Sequence, residues 1–222
     1  MSDEVDVTLL ALQTALNEVS RDQDSQILGA YGEVGFAIGP HRLQVSVADY
    51  GFRNVDQVAV GRATGPLRST LTNEVERDAA GNVVGLVSDF NLVDTIVQAE
   101  FNTGREAYPL RLLGQFLRNT RAASDLDTGM WFEAEYGGSN QTRAYTLGYT
   151  YARTQQEAAL SPFVFSDMPG TDSELHMVTI AYVPIPNLTL DVTTHFTREL
   201  DIAPGAFNPW RTRAHVAAIV RF

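Results

Sequence analysis

Four histidines are the side chains best suited to proton transfer or metal binding: His41, His176, His195 and His215. No two of them have the short spacing, such as His-x-x-x-His, that brings two ligands onto one metal ion. His195 shares a predicted strand face with Asp191, but the intervening strand separates the two by about 13 Å, at roughly 3.3 Å per residue. The chain has no cysteine, which excludes thiolate ligands and disulfides. We therefore expect no metal site and no cofactor.

Motifs for nucleophilic catalysis and phosphate binding are also missing from the sequence. It contains neither a Gly-x-Ser-x-Gly nucleophile elbow nor a Gly-x-x-x-x-Gly-Lys phosphate loop. The net charge is −11 and no stripe of Lys and Arg is present, which argues against binding to the phosphates of nucleic acid. The sequence therefore predicts a protein that is not an enzyme and has no nucleic-acid partner.

Charged and histidine side chains recur at alternate positions, opposite apolar ones. An Arg or Lys that faces lipid at the bilayer midplane costs about 2 to 4 kcal/mol, so in a membrane barrel these residues must face the interior. There they would hold water and bias the passage of ions. Cations of the last strand would face acids of strands 90–103 and 128–138, giving a transverse field. The predicted pore-lining residues are Glu33, Arg42, Asp94, Glu100, Arg111, Glu133, Glu135, Asp191, His195, Arg213, His215 and Arg221.

The segments that carry these residues show a period of two, which separates two faces on a strand and mixes them on a helix. Most are longer than the usual five or six residues of a globular strand, and a tilted bilayer-crossing strand needs about 9 to 11. Val5, Leu9, Leu12 and Leu16 also fit a helical stripe, which leaves a helix open for the first segment. The predicted strands are 5–17, 24–38, 41–53, 90–103, 108–121, 128–138, 141–155, 174–184, 187–200 and 211–222.

The connections between these strands alternate in length, as in transmembrane barrels with tight periplasmic turns and long external loops. The short ones are Gly39-Pro40, 104–107, Ser139-Asn140 and Ile185-Pro186, and the long ones are 54–89, 121–127, 156–173 and 201–210. If the chain ends at the periplasmic rim, every long loop is external. Loop 54–89 is acidic, and we leave three roles open for it: a pore constriction, a contact for divalent ions on lipopolysaccharide, or a solvated surface loop.

Aromatic residues lie near many predicted strand ends, where the rings of a barrel sit at the headgroup level. Ordinary core packing in a soluble barrel is the alternative. These residues are Tyr31, Tyr50, Phe52, Phe90, Phe101, Tyr108, Tyr136, Tyr151 and Phe222. No stretch approaches the roughly 18 apolar residues of a transmembrane helix. The first residues lack the basic and apolar regions of a signal peptide, which an outer-membrane location requires.

Two resemblances point to the bacterial outer membrane. The alternation that ends in Val216, Ala218, Val220 and Phe222 resembles the terminal signal read by the β-barrel assembly machinery. Nearly the whole chain also resembles the C-terminal part of a bacterial outer-membrane porin family. The segments that carry this second resemblance are 24–29, 88–94, 109–112, 127–129, 148–151 and 166–172. It implies a signal peptide, a periplasmic N-terminal segment, further strands upstream and passive diffusion of small solutes, and it brings no catalytic residues.

Together these observations predict one domain over 1–222: an all-β, antiparallel, up-and-down transmembrane β-barrel of about ten strands, or the C-terminal part of a larger one. The predicted function is a porin-like channel for small hydrophilic solutes or ions. Its partners would be outer-membrane lipid and lipopolysaccharide, the assembly machinery, small solutes and further copies in a homo-oligomer. Two alternatives stay open: a structural or adhesive barrel with a plugged lumen, and a soluble ligand-binding β-barrel.

Overall fold

Ten long strands of this chain form a single antiparallel sheet in a computed structural model. The structure describes residues 5–17, 24–64, 71–138, 141–201 and 206–221, with Asn17 and Thr64 described by their backbone alone. Apart from one small inserted hairpin, strands that follow each other in sequence are neighbours in the sheet. The ten strands are β1 (Val5–Asn17), β2 (Ser25–Ile38), β3 (His41–Arg53), β6 (Asn91–Phe101), β7 (Leu110–Asn119), β8 (Thr128–Tyr136), β9 (Tyr145–Thr154), β10 (Ser173–Ile185), β11 (Leu188–Glu199) and β12 (Arg211–Val220).

The all-β prediction is confirmed, and the helical alternative for the first segment is wrong, because β1 is a strand throughout. The largest difference in strand bounds is at β9, which begins at Tyr145 rather than at residue 141. The turn predicted at Ser139-Asn140 lies outside the described residues. The segment between β3 and β6 was predicted as a loop. It contains helix α1 (Asp56–Thr64) and a hairpin of two short strands, β4 (Val75–Arg77) and β5 (Val83–Leu86).

Antiparallel topology places the connections at two opposite ends of the sheet. We call one the loop end, where 120–127, 155–172 and the described residues of 54–90 and 200–210 lie, and the other the turn end. Two tight turns at the turn end use a left-handed backbone, at Gly39 (φ 59°) and Asn187 (φ 64°), residue types that tolerate this conformation best. The prediction that all long connections lie at the same end is confirmed.

Two of the long connections fold back over one face of the sheet and pack against it. We call this the inner face, and the opposite one the outer face. Phe90, Leu86 and Ala59 from the first connection pack with Leu160 from the second, over Leu92 of β6. A second cluster joins Met168, Ala152 and Leu175. The buried apolar core therefore lies between the inner face and these two connections, and not within the sheet.

The two outermost strands are paired on one side only. Among the described residues, β1 pairs with β2 alone and β12 with β11 alone, so the sheet does not close into a barrel. Their outer edges carry backbone N–H and C=O groups without a strand partner. None of the helices in the described part of the chain is long and apolar enough to cross a membrane.

Amide hydrogen exchange on the monomeric chain in detergent micelles tests the open edges. We expect alternate amides of β12, those that point away from β11, to exchange quickly. The amides of β9, which is paired on both sides, should exchange slowly, because hydrogen-bonded amides must open before they exchange. Protection of every amide along β12 would contradict the open sheet and show that another strand covers this edge.

Candidate functional site

The register of the paired strands places all the pore-lining residues predicted within those strands on the inner face. Arg42, Glu100, Arg111 and Glu135 form one row of directly opposite residues across β3, β6, β7 and β8. Their charges alternate in sign along the row. Nε of Arg111 lies 3.0 Å from Oε2 of Glu100, and its Nη1 lies 2.6 Å from Oε1 of Glu135. Arg111 is thus held between two carboxylates near the turn end.

A second row runs through Glu133, His195 and Arg213 on β8, β11 and β12, and His215 follows at the next inner position of β12. His195 is buried at 3% exposure, and its ring packs at 5.2 Å against that of His215. Nε2 of His195 lies 3.2 Å from Oδ2 of Asp167, within ion-pair distance but outside hydrogen-bond geometry. Asp167 also pairs with Arg213. The connection 155–172 is therefore anchored to the last two strands.

The other predicted residues have separate partners on the same face. The Tyr31 hydroxyl donates to Glu33, and Thr193 Oγ1 donates to Asp191 Oδ1 at 3.1 Å. Both carboxylate oxygens of Asp94 accept from Gln115 Nε2 at 2.9 Å. Arg221 follows β12, and its backbone N–H donates to the Asn187 carbonyl at 2.9 Å.

The arginines of the last strand are paired with carboxylates, so β12 carries less unpaired positive charge than its sequence indicates. Arg211 pairs with Glu199 at 2.7 Å and Arg213 pairs with Asp167. Local pairing of this kind leaves a weaker long-range field than unpaired charges would. The cationic side of the predicted transverse field is therefore weaker than the sequence alone indicates, and the field stays a prediction.

A network of polar side chains that sequence reasoning missed joins the two inward connections. Asn73 Nδ2 donates to the carbonyls of Gln156 and Ala159 at 2.7 and 2.8 Å, and Ser161 N donates to Asn73 Oδ1 at 2.8 Å. Asn119, at the end of β7, donates to the Glu157 carbonyl at 2.9 Å. These contacts satisfy backbone groups that would otherwise be buried without partners, and they fix the connections over the inner face.

Glu157 is the acidic member of this network and is only 1% exposed. Its Oε1 accepts from the backbone N–H of Glu74 at 2.7 Å, whereas Oε2 has no hydrogen-bond partner in the described part of the chain. Burial raises the pKa of Glu157, and the nearby Glu74 adds to this, against the lowering effect of the hydrogen bonds. Burying the charged form of a carboxyl is costly unless it is well paired, so ionisation of Glu157 loosens this junction.

The aromatic residues divide differently from the girdle predicted at both rims. That prediction is wrong for Tyr31, Tyr50, Phe52 and Phe90, because the first three lie on the inner face and Phe90 is in the core. At the turn end of the outer face, Tyr108 packs against Tyr136 at 5.5 Å and against Tyr145 at 4.8 Å, and Phe101 packs against His41 at 5.6 Å.

A second outer-face group lies towards the loop end. His176 packs against Tyr151 and Trp210, each at 5.2 Å, and Arg198 lies 4.5 Å above the Trp210 ring. Of the residues in the predicted assembly signal, Val216, Ala218 and Val220 share the outer face of β12, and Phe222 lies outside the described residues. The outer face therefore has one aromatic group near the turn end and another towards the loop end.

Comparison with known protein families, curated proteins and solved structures finds no match for this chain. In the described part of the chain, no group of three or more His, Cys, Asp or Glu residues is placed to hold a metal ion. The resemblance to an outer-membrane porin family stays a prediction.

The raised pKa of Glu157 predicts a stability that falls as the pH rises. The folded state holds the proton more tightly than the unfolded state, whose ordinary pKa is 4.5. The contribution is thus full below that pH and is lost as the pH rises through the folded value. We expect Glu157→Gln to flatten the dependence of unfolding free energy on pH above pH 4.5, measured by urea unfolding in detergent.

Glu76→Gln is the matched control, because Glu76 is an exposed residue of the same connection. It should leave the pH dependence as it is in the unmodified chain. The slope is the readout, since Gln changes the absolute stability for reasons of its own. Parallel curves for the unmodified chain and Glu157→Gln would show that the ionisation of Glu157 is not coupled to folding.

Proposed function

We propose that this sheet forms part of the wall of an outer-membrane β-barrel through which small hydrophilic solutes or ions diffuse passively. The observation that carries the proposal is the contrast between the two faces. The outer face is apolar over the turn-end part of every strand, while the inner face carries charged and amide side chains. Such a division is required of a strand with lipid on one side and water on the other.

The outer face shows the contrast in detail. On β10 the outward residues are Tyr182, Ile180 and Val178, followed towards the loop end by His176 and Glu174. Tyr182 and Ile180 are 42% and 51% exposed, so the sheet leaves them in contact with the surroundings. Exposed apolar patches of this extent mark a surface that meets something other than water.

Among the described strand residues, Asp, Glu, Lys and Arg appear on the outer face only beyond this band, at the loop end. There Arg118 pairs with Asp127 at 2.9 Å, and Arg198 pairs with Glu174 at 2.6 Å. Along β9, the outward residues from Tyr145 to Tyr151 span about 20 Å at roughly 3.3 Å per residue. Transmembrane barrels have an apolar band about 25 Å tall between aromatic girdles. The run on β9 is shorter than this band, and strand tilt shortens its height across a bilayer further, but aromatic groups lie near its two ends as in such barrels.

The inner face supports passage of hydrated solutes near the turn end. The row around Arg111 borders an opening of about 340 Å³ that is also lined by Gln44, Gln98 and Glu133. Side chains of this kind hold water and interact with ions. At the loop end, the two inward connections narrow the space in front of the sheet. Of the three roles left open for loop 54–89, its inward packing favours the pore constriction.

The same inward connections favour a second candidate, a barrel whose lumen is plugged. Inward-folded loops close the lumen of some outer-membrane barrels, and here the junction of Asn73 and Glu157 holds them in place. A plugged barrel would serve a structural or adhesive role. The two candidates share the fold and membrane location and differ in conductance.

A wall in a bilayer needs every backbone group paired, because lipid offers no hydrogen bonds. The free edges of β1 and β12 therefore require strand partners in the membrane. Further strands of the same polypeptide or other copies of the chain would complete the circle. The outward residues Val216, Ala218 and Val220 would present the last strand to the assembly machinery.

Heat-modifiability tests the membrane fold. The chain is refolded into detergent micelles, and its mobility in electrophoresis is compared before and after boiling. We expect a shift from oligomers in which other copies pair with the edges of β1 and β12, because a closed barrel resists detergent until it is heated. These oligomers should give stepwise currents when they are added to planar bilayers. Folding without current would favour the plugged barrel. Aggregation without a shift would mean that the ten strands do not close without further strands.

Adjacent residues of β6 test which face meets lipid. Val97 points to the outer face and Gln98 to the inner face. We expect Val97→Arg to reduce the free energy of folding into lipid vesicles by about 2 to 4 kcal/mol, measured by urea titration. Gln98→Arg is the matched control and should cost under about 1 kcal/mol, because its charge stays in water. Equal costs, or full solubility of the unmodified chain without detergent, would favour the soluble ligand-binding barrel.

A further inference from the structure

A pocket of about 450 Å³ lies between the inner face and the connection 155–172. Its floor is formed by residues of five strands, among them Tyr50, Gln115 and Trp131, and its roof by Phe165 and Met168. Pockets for small molecules typically have volumes of about 300 to 1,000 Å³, with mostly apolar walls and a few polar groups. The size and walls of this one fit a small organic ligand.

The polar part of the pocket is dominated by one acid. Among the described residues that line it, Asp94 is the only charged one. The Gln115 amide is its hydrogen-bond partner at 2.9 Å, and no Lys, Arg or His in the described part of the chain forms an ion pair with it. By contrast, Glu100 and Glu135 on the same face share Arg111. A carboxylate in apolar surroundings is stabilised by a cationic partner, and the chain supplies none at this position.

Aromatic rings add to the preference for positive charge. Trp131 packs edge-on against Phe165 with ring centroids 5.1 Å apart, and Tyr50 lines the same space. Aromatic faces attract cations through the ring quadrupole and form the recognised cages for quaternary ammonium groups. A neutral polyol needs many hydrogen-bonding groups, whereas the walls here offer few beyond Asp94 and Gln115. The chemistry therefore fits an ammonium group carried on an apolar body.

We propose that this pocket binds small organic cations, with the ammonium group at Asp94 and the apolar part against Trp131, Tyr50 and Phe165. The proposal specifies which class of solute would use the proposed pore, and in that respect it rests on the proposed function. Binding in the pocket is an equilibrium property and can be measured without any current. A ligand held here would also lie directly under the connection 155–172, which forms the roof.

Fluorescence titration tests the proposal on the chain folded in detergent, with Trp210→Phe introduced so that Trp131 is the remaining tryptophan. The probes are benzyltrimethylammonium, benzyl alcohol and benzenesulfonate, which share the ring and differ in charge, together with glucose. We expect saturable binding of the cation at least ten-fold tighter than that of the neutral or anionic probe. Equal binding of the first three probes, or preference for glucose, would overturn the proposal.

Asp94→Asn tests the acid itself, because it keeps the shape and an acceptor for Gln115. It should weaken binding of benzyltrimethylammonium at least ten-fold and leave benzyl alcohol unchanged. The matched control is Asp125→Asn, in the exposed connection 120–127 outside the pocket, which should leave both unchanged. Undiminished cation binding by Asp94→Asn would refute the role of the carboxylate.

Conductance measurements on the same preparation distinguish the failure of the cation-binding proposal from the failure of the proposed channel. Cation binding without current would uphold the pocket and refute the open channel. Current without selective cation binding would uphold the channel and refute the pocket.

Discussion

The antiparallel register runs through the long sheet from β1 to β12 and decides which side chains share a face. Because the side-chain period of a strand is two, a slip of one residue in any pair would exchange the faces of every strand beyond it. The pairs Arg42 with Glu100 and Arg111 with Glu135 show the consequence. Charges spread over a long stretch of sequence lie in one row on one side.

The inward connections depend on that register in turn. They pack where the inner face is locally apolar, over Leu92, Leu117 and Leu175, and not where it carries the Arg111 row. The polar groups of their backbone are then satisfied by Asn73 and Asn119. The inner face thus has two regions. An apolar region at the loop end is covered by the connections, and a charged region near the turn end is open. Binding and passage are proposed for different regions of the same face.

The long strands and their faces could be predicted from the sequence, because alternation is a local property and these strands are long. Val216, Ala218 and Val220 show it without any knowledge of neighbours. The junction of the connections could not be predicted in this way. Asn73 and Glu157 are separated by more than eighty residues, and nothing near either one indicates burial. Helix α1 was missed for a related reason, since its short sequence has no clear apolar stripe and is held by tertiary contact, with Asp56 accepting from the Leu86 N–H at 2.9 Å.

The aromatic residues show where local reasoning misleads. Position near a strand end predicts a ring at the membrane border, yet the end of a strand gives no information on its face. Tyr50 and Phe52 are on the inner face because they are in register with Gly29 and Ile27, and there they help to seat the connections. Tyr136 and Tyr145 are equally close to strand ends but point outward, and they cluster with Tyr108. The same residue type thus packs in the core at one end of the sheet and forms an exposed cluster on the outer face at the other, and the register alone separates the two positions.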